Sequence, residues 1–249
     1  MQSRTEIVAE YRSGPGAVPG RSRTVVRSIR AGQHFAARET GPGVVHLVGT
    51  AAGPLGGDDV TIVVRLGPGA RLAIRSSGAT IVQPGGQVVD SSLRLLVSIA
   101  DGAELDFGCE PTVICHRAEH AAEAVLDLAG SGQIRLIEQV LLGRSNEPGG
   151  TWLGRTRLTR DGMPELRHTL SSELIAGDGT RVIATLLRSG IQALPATCGS
   201  AVAMPLAAGG LLVTATGKQM LATQAELLAA AEQAVPTSIE PTASDLTTA

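Results

Sequence analysis

One phrase recurs along this chain and limits what it can fold into: an apolar alternating run, a tight glycine-containing turn, then a second apolar alternating run. Its clearest copies are Val63-Val64-Arg65-Leu66-Gly67-Pro68-Gly69-Ala70-Arg71-Leu72-Ala73-Ile74 and Leu96-Val97-Ser98-Ile99-Ala100-Asp101-Gly102-Ala103-Glu104-Leu105-Asp106-Phe107. Looser copies turn at Ala31-Gly32, at Gly130-Ser131-Gly132 and at Gly177-Asp178-Gly179. Gly69 and Gly102 stand 33 residues apart, a spacing expected of repeated supersecondary units. A single strand pair cannot bury its own apolar face, whereas stacked neighbours bury it for one another. The phrase therefore predicts a β-rich stack whose function lies on its surface.

Composition sharpens the prediction. Apolar residues make up 43 % of the 249, enough for a core, yet the aromatics are only Tyr11, Phe35, Phe107 and Trp152. Val, Leu, Ile and Ala must do the packing, which suits regular sheets. So few aromatics argue against stacking platforms for bases or sugars. The net charge of −2 is spread without a basic tract, so neither nucleic acid nor an anionic membrane is expected as a partner. Lys218 is the single lysine, and no GxxxxGK[ST] phosphate loop exists. The segment from Met1 to Gly14 has no apolar core of a secretory signal, and Ala201 to Ala215 is too short and too broken to span a bilayer. Three cysteines leave at least one thiol unpaired, so the expected home is the reducing cytoplasm.

Strands are expected at Glu6–Arg12 (as an edge), as a pair at Arg21–Arg30 and Gln33–Arg38, and at Val44–Gly49, Val60–Leu66, Arg71–Arg75, Gln87–Asp90, Leu93–Ile99 and Glu104–Phe107. Further strands are read at Ala121–Leu128, Gln133–Leu142, Thr151–Arg160, Leu166–Ala176 and Thr180–Leu187, with a hairpin at Asp161-Gly162. Lys218–Ala234 reads as a helix with Met220, Leu221, Leu227 and Leu228 along one face, and a shorter helix is placed between Ser189 and Ala203. The fold class is thus all-β dominated, a solenoid-like stack with a small C-terminal helical element. Residues 1–235 form one scaffold, and the Thr/Pro/Ser-rich residues 236–249 form a disordered tail.

The densest reactive cluster runs from Cys109 to His120 and holds Cys109, Glu110, Cys115, His116, Glu119 and His120. Such donors suit a soft or borderline divalent ion. The spacing matches no zinc finger, and in an extended segment His116 and His120 would stand about 13 Å apart at roughly 3.3 Å per residue. Asp58 and Asp59, after Gly56-Gly57, could bind a hard cation, cap the start of a strand or solvate a turn. Glu138 interrupts an apolar run and either faces solvent or points into the interior, where it would need a partner such as Arg144. His34, His46 and His168 are isolated and read as surface or satisfied core histidines. Ser76-Ser77 has no His/Asp pair in a nucleophile-elbow context, so no nucleophile–base pair or cofactor fingerprint is legible, and a non-enzyme is favoured.

The run Ala52-Gly53-Pro54-Leu55-Gly56-Gly57-Asp58, then Gly67-Pro68-Gly69-Ala70-Arg71-Leu72, then Ser76-Ser77-Gly78-Ala79-Thr80, resembles in its order the urease accessory proteins of the UreD (UreH) family. It continues through Ala103-Glu104-Leu105 to Glu110-Pro111, Glu138 with Leu142-Gly143-Arg144, Arg160-Asp161-Gly162 with Pro164, and Val182–Leu187. The chain departs from that pattern at Ile81 and Gln83, at Ser145–Gly149 and at Cys109–Cys115. What the resemblance implies is a β-helical scaffold that binds urease apoprotein and other accessory proteins, a GTPase among them. It also implies an interior polar route for nickel, with no cofactor held tightly. On that reading Asp58, Asp59, Glu138 and the donors Cys109, Cys115, His116 and His120 line the route and touch nickel only in transit. The competing readings are a carbohydrate-active β-solenoid and a stand-alone metal-binding protein.

Overall fold

The computed structural model describes residues 1–12, 23–175 and 179–236. In chain order it contains β1 (Gln2–Arg12), β2 (Arg23–Arg30), β3 (Phe35–Gly41), β4 (Val44–Gly49), β5 (Asp59–Leu66), β6 (Arg71–Ser76) and β7 (Thr80–Val82). Then follow β8 (Asp90–Ile99), β9 (Glu104–Gly108), β10 (Thr112–Ile114), β11 (Glu119–Leu128), β12 (Gln133–Leu142), β13 (Thr151–Arg160) and β14 (Met163–Ser171). The rest comprises a short helix α1 (Ser172–Ile175), β15 (Val182–Ser189), β16 (Ala196–Cys198), β17 (Ala201–Pro205), β18 (Gly210–Gly217) and α2 (Met220–Ala234).

The recurring phrase turns out to be a crossing between sheets. Its first arms, β5, β8 and β11, pair in parallel with one another, and β13 extends them. Its second arms, β6, β9 and β12, pair in parallel in the other sheet. Each glycine turn carries the chain from the seven-stranded sheet to the eleven-stranded one. Gly69 (φ 68°) and Gly102 (φ 67°) sit in the left-handed region that the turn requires at this position. The turns also stack: the Gly69 N–H donates to the Asp101 carbonyl at 3.1 Å, and the Asp101 carboxylate accepts from Ser131 N–H at 2.8 Å.

Parallel stacking puts like residues over like. Val64, Val97, Leu126 and Leu158 form one inward ladder, and Leu72, Leu105 and Ile134 form another across the core. All seven are buried in the same cluster. Each such side chain contributes about 1.5–3 kcal/mol by leaving water. A second cluster forms around Trp152, Ile114, Leu142 and Ile183. The third lies beneath α2.

Several expectations are corrected. The strand at the start of the chain lies inside its sheet, parallel to β5 on one side and antiparallel to β2 on the other, so β2 is the edge. β2 and β3 belong to different sheets and do not pair around Ala31-Gly32. Gln87–Val89 is not a strand, because this segment leads into β8, which begins at Asp90. The strand expected to reach Ala176 ends at Ser171, where α1 begins. The helix placed between Ser189 and Ala203 is instead occupied by β16 and the start of β17, since small apolar residues here extend the sheet over which α2 packs.

Other readings hold, with one adjustment. Asp161 (φ 49°) and Gly162 (φ 78°) make the two-residue hairpin turn joining β13 and β14. α2 buries Thr223, Leu227, Ala230 and Ala234, while Leu221 is 81 % exposed. The buried stripe is therefore defined by alanines at helical spacing more than by the leucines. The tail from 237 to 249 and part of the Gly177-Asp178-Gly179 turn lie outside the described residues.

Candidate functional site

Because β5, β8, β11 and β13 run parallel, their first residues gather at one end of the seven-stranded sheet. Asp59, Asp90 and Glu119 stand there with Asp58, His120 and Glu173 around an open cleft of about 620 Å³. Asp59 accepts from Ser92 Oγ at 2.9 Å and from the Arg94 guanidinium at 3.0 Å, so its charge is already partnered. His120 is nearly buried, with Nδ1 2.9 Å from Ser91 Oγ. Burial pushes its pKa down to about 4, so the ring is neutral at physiological pH. Ser91 could not be linked to His120 from sequence. The signal was the repeat itself, which sets Ser91 against His120 in register on β8 and β11.

Asp58 owes its place to the two glycines before it. A Cβ at Gly56 would collide with the Val88 carbonyl, and Gly57 (φ 88°) takes a left-handed conformation. The tight loop lets Asp58 turn back on itself, Oδ2 accepting from the Leu55 N–H at 2.8 Å. The Met1 ammonium donates to Oδ1 at 2.6 Å. Burial alone would raise the pKa of Asp58, but the ammonium and the Leu55 N–H together hold it below the usual carboxylate range. Beneath the same loop lies His34, 2 % exposed, with Nε2 3.6 Å from Asp58 Oδ2. Neither of its ring nitrogens has a hydrogen-bond partner among the described residues. The expectation that His34 is a satisfied core histidine or a surface one is therefore corrected: it is a buried and unsatisfied one.

Glu138 occupies a second place. Ile134, Leu136, Val140 and Leu142, all buried, share its side of β12 at the strand period of two. It is the one ionisable group in that row, and it lines an interior cavity of about 90 Å³ together with Thr80, Cys109 and Thr112. The Arg144 partner anticipated for it is committed elsewhere, to Glu147, at 3.1 Å. With no partner among the described residues to oppose it, burial pushes the carboxyl of the partly buried Glu138 up to about 7. Thr185 and Thr214 continue the row across β15 and β18, and the buried Thr214 hydroxyl also lacks a partner among the described residues.

The sequence cluster Cys109–His120 is pulled apart. Cys109 faces the cavity, with burial pushing its thiol up to about 12. Cys115 is buried where β10 ends, and burial raises its pKa as well. His116 and Arg117 (φ 65°) form the turn into β11, which carries His120 to the cleft. Among the described residues no three His, Cys, Asp or Glu side chains converge closely enough to hold one ion. Nor is any helix there long and apolar enough to cross a membrane.

Comparison with known proteins gives this arrangement a family. Residues 8–244 match the family model described as UreD urease accessory protein. A urease accessory protein UreD of Parafrankia sp. is 33 % identical over 81 % of this chain and 80 % of its own length. Urease accessory protein UreD 1 of Saccharopolyspora erythraea is 31 % identical over 81 % of this chain and 86 % of its own. The UreD of Frankia alni reaches 46 % identity over a shorter stretch, 46 % of this chain and 38 % of that protein. The chain belongs to the UreD urease accessory protein family.

Proposed function

We propose that this chain is a urease-maturation scaffold: a non-catalytic protein of the cytoplasm that binds urease apoprotein and other accessory proteins, a GTPase among them. In this reading it lends nickel an interior passage lined by weak donors. Nickel is cargo here, and no cofactor is held. The observation that carries the reading is Glu138, an unpartnered carboxylate in an otherwise apolar inward row, at a cavity with room for several waters. A fold gains nothing from such a group, since an isolated buried charge is costly. A hydrated divalent ion in transit gains an oxygen donor that binds weakly enough to release it. Asp58 and Asp59 at the cleft, and Cys109 in the cavity, are the other donors the ion would meet. Cys115, His116 and His120 complete the set, His120 being the one at the cleft.

The test is co-expression of urease subunits and the remaining accessory proteins with this chain, with Glu138→Ala, with Asp58→Ala, or without it. The expected result is urease whose nickel content and urea hydrolysis depend on the chain and fall tenfold or more with Glu138→Ala, while the variant still co-purifies with its partners. Urease that matures equally well without the chain would overturn the scaffold reading. Full activation by both variants would remove the passage.

A further inference from the structure

We propose that His34 and Asp58 form a two-donor site for a borderline divalent cation beneath the Gly53-Pro54 loop, at the rim of the acid-lined cleft. The imidazole is the observation that demands an account. It is 2 % exposed and held in place, its backbone N–H donating to Ser3 Oγ at 2.9 Å and its ring set edge-on to Phe35 at 6.0 Å. Both ring nitrogens nonetheless go unpaired among the described residues. A buried polar group left without a partner destabilises the fold, and an apolar side chain of similar size would avoid that cost.

The geometry says what such a ring is placed for. Nε2 stands 3.6 Å from Asp58 Oδ2, beyond hydrogen-bond range. Two donors each about 2.1 Å from one ion, at a tetrahedral angle, stand about 3.4 Å apart. The pair is therefore spaced to share an ion rather than a proton. Neutral imidazole with carboxylate suits nickel, cobalt, zinc or copper better than magnesium or calcium. Asp58 lines the cleft, so water from that side can fill the remaining positions. The Met1 ammonium on Oδ1 offsets part of the carboxylate charge, and with only two protein donors the site holds its ion loosely. That is the property a station on a delivery route needs. The site deepens the nickel-passage reading and rests on it for the identity of the ion.

The experiment uses the purified full chain with nickel alone, and with cobalt as a visible reporter. Wild type, His34→Leu and Asp58→Asn are compared by equilibrium dialysis and by the metal-induced shift in melting temperature. Wild type is expected to hold one more equivalent of nickel than either variant, and its cobalt absorption should fall at least threefold in both. Without metal, His34→Leu should melt no lower than wild type, because leucine removes two unpaired polar atoms. Equal nickel and cobalt binding by wild type and His34→Leu would overturn the site. Should His34→Leu not fold, equal binding by wild type and Asp58→Asn would overturn it just as well. Neither result bears on the passage through Glu138, which urease activation reads separately. Failed activation by the wild-type chain would remove the passage while leaving the two-donor site measurable in the isolated protein.

Discussion

Asp59 and Glu138 are both carboxylates set on parallel strands of the same stack, and they live in opposite circumstances. Asp59 stands at the cleft, half-exposed, with Ser92 Oγ and the Arg94 guanidinium already on its oxygens. Glu138 stands in an inward row of Ile and Leu with only a small cavity beside it. The first charge is consistent with its surroundings at every level, and the fold explains it. The second contradicts them, and violations of that kind gather where a protein gives up stability for function. Ser91–His120 and His34–Asp58 repeat the contrast among histidines. Both rings are buried, but among the described residues only the His120 ring has a hydrogen-bond partner.

The largest effect that would break the comparison concerns Glu138. Its pKa stands at about 7 in the fold against 4.5 for an unperturbed glutamate. A group whose folded pKa is raised contributes its stability below the unfolded value, and that stability is lost as pH rises through the folded value. The protein should therefore weaken between about pH 4.5 and pH 7 by on the order of 3 kcal/mol from this one side chain. Glu138→Leu removes the loss. Urea unfolding at pH 5 and pH 8 should show the variant gaining on wild type mainly at pH 8. An equal difference at both pH values would mean that the carboxylate is solvated, and the contrast with Asp59 would collapse.

On the acid side His120 provides the next effect. Its folded pKa of about 4 lies below the unperturbed 6.5, so the unfolded chain takes up the proton first. Stability present above pH 6.5 is lost as pH falls towards 4. His120→Leu abolishes that slope but also removes the bond to Ser91, a loss of about 1 kcal/mol at pH 7. The net gain of the variant at pH 4 is then on the order of 2 kcal/mol. Melting temperatures at pH 7 and pH 4 should cross, with wild type higher at the first and the variant higher at the second. A variant lower at both would show that the ring is stabilised by contacts beyond Ser91.

The same contrast explains how far the sequence could be read. Period and turn chemistry gave the stack, because Gly69 and Gly102 carry backbone conformations that leave a local mark. The limits of β12 and β13, Gln133–Leu142 and Thr151–Arg160, were legible for the same reason. What failed depended on partners far along the chain. The strand at the amino terminus looked like an edge until β2 closed over it. The stretch from Ser189 to Ala203 looked helical, and its small residues are strands at Ala196–Cys198 and from Ala201 because α2 supplies their apolar cover. The site divides likewise. Asp58 and Glu138 stood out as charges in marked contexts, whereas His34 read as an ordinary isolated histidine, since an unsatisfied histidine differs from a satisfied one only in what lies around it. Cys109, Cys115, His116 and His120 drew notice for being close in sequence, and the turn at His116-Arg117 disperses them.

The smallest effect is the most direct test of what partnering means at the cleft. The side chains of Arg94 and Asp59 are 47 % and 37 % exposed, so water screens their pairing. Such surface pairs contribute about 0.2–1 kcal/mol. Asp59→Asn keeps the shape, and the amide can still accept from Ser92 Oγ, so only the charge term is removed. Wild type and Asp59→Asn should therefore differ by less than about 1 kcal/mol in low salt. They should converge near 1 M salt, where the screening length shrinks to about 3 Å. A difference that survives high salt would mean that the pair is shielded from water, and that the open cleft is more enclosed around Asp59 than the exposure of these two side chains implies. Asp59 would then be held as tightly as a buried group, and its partnered charge could no longer serve as the solvated reference against which the isolation of Glu138 is measured.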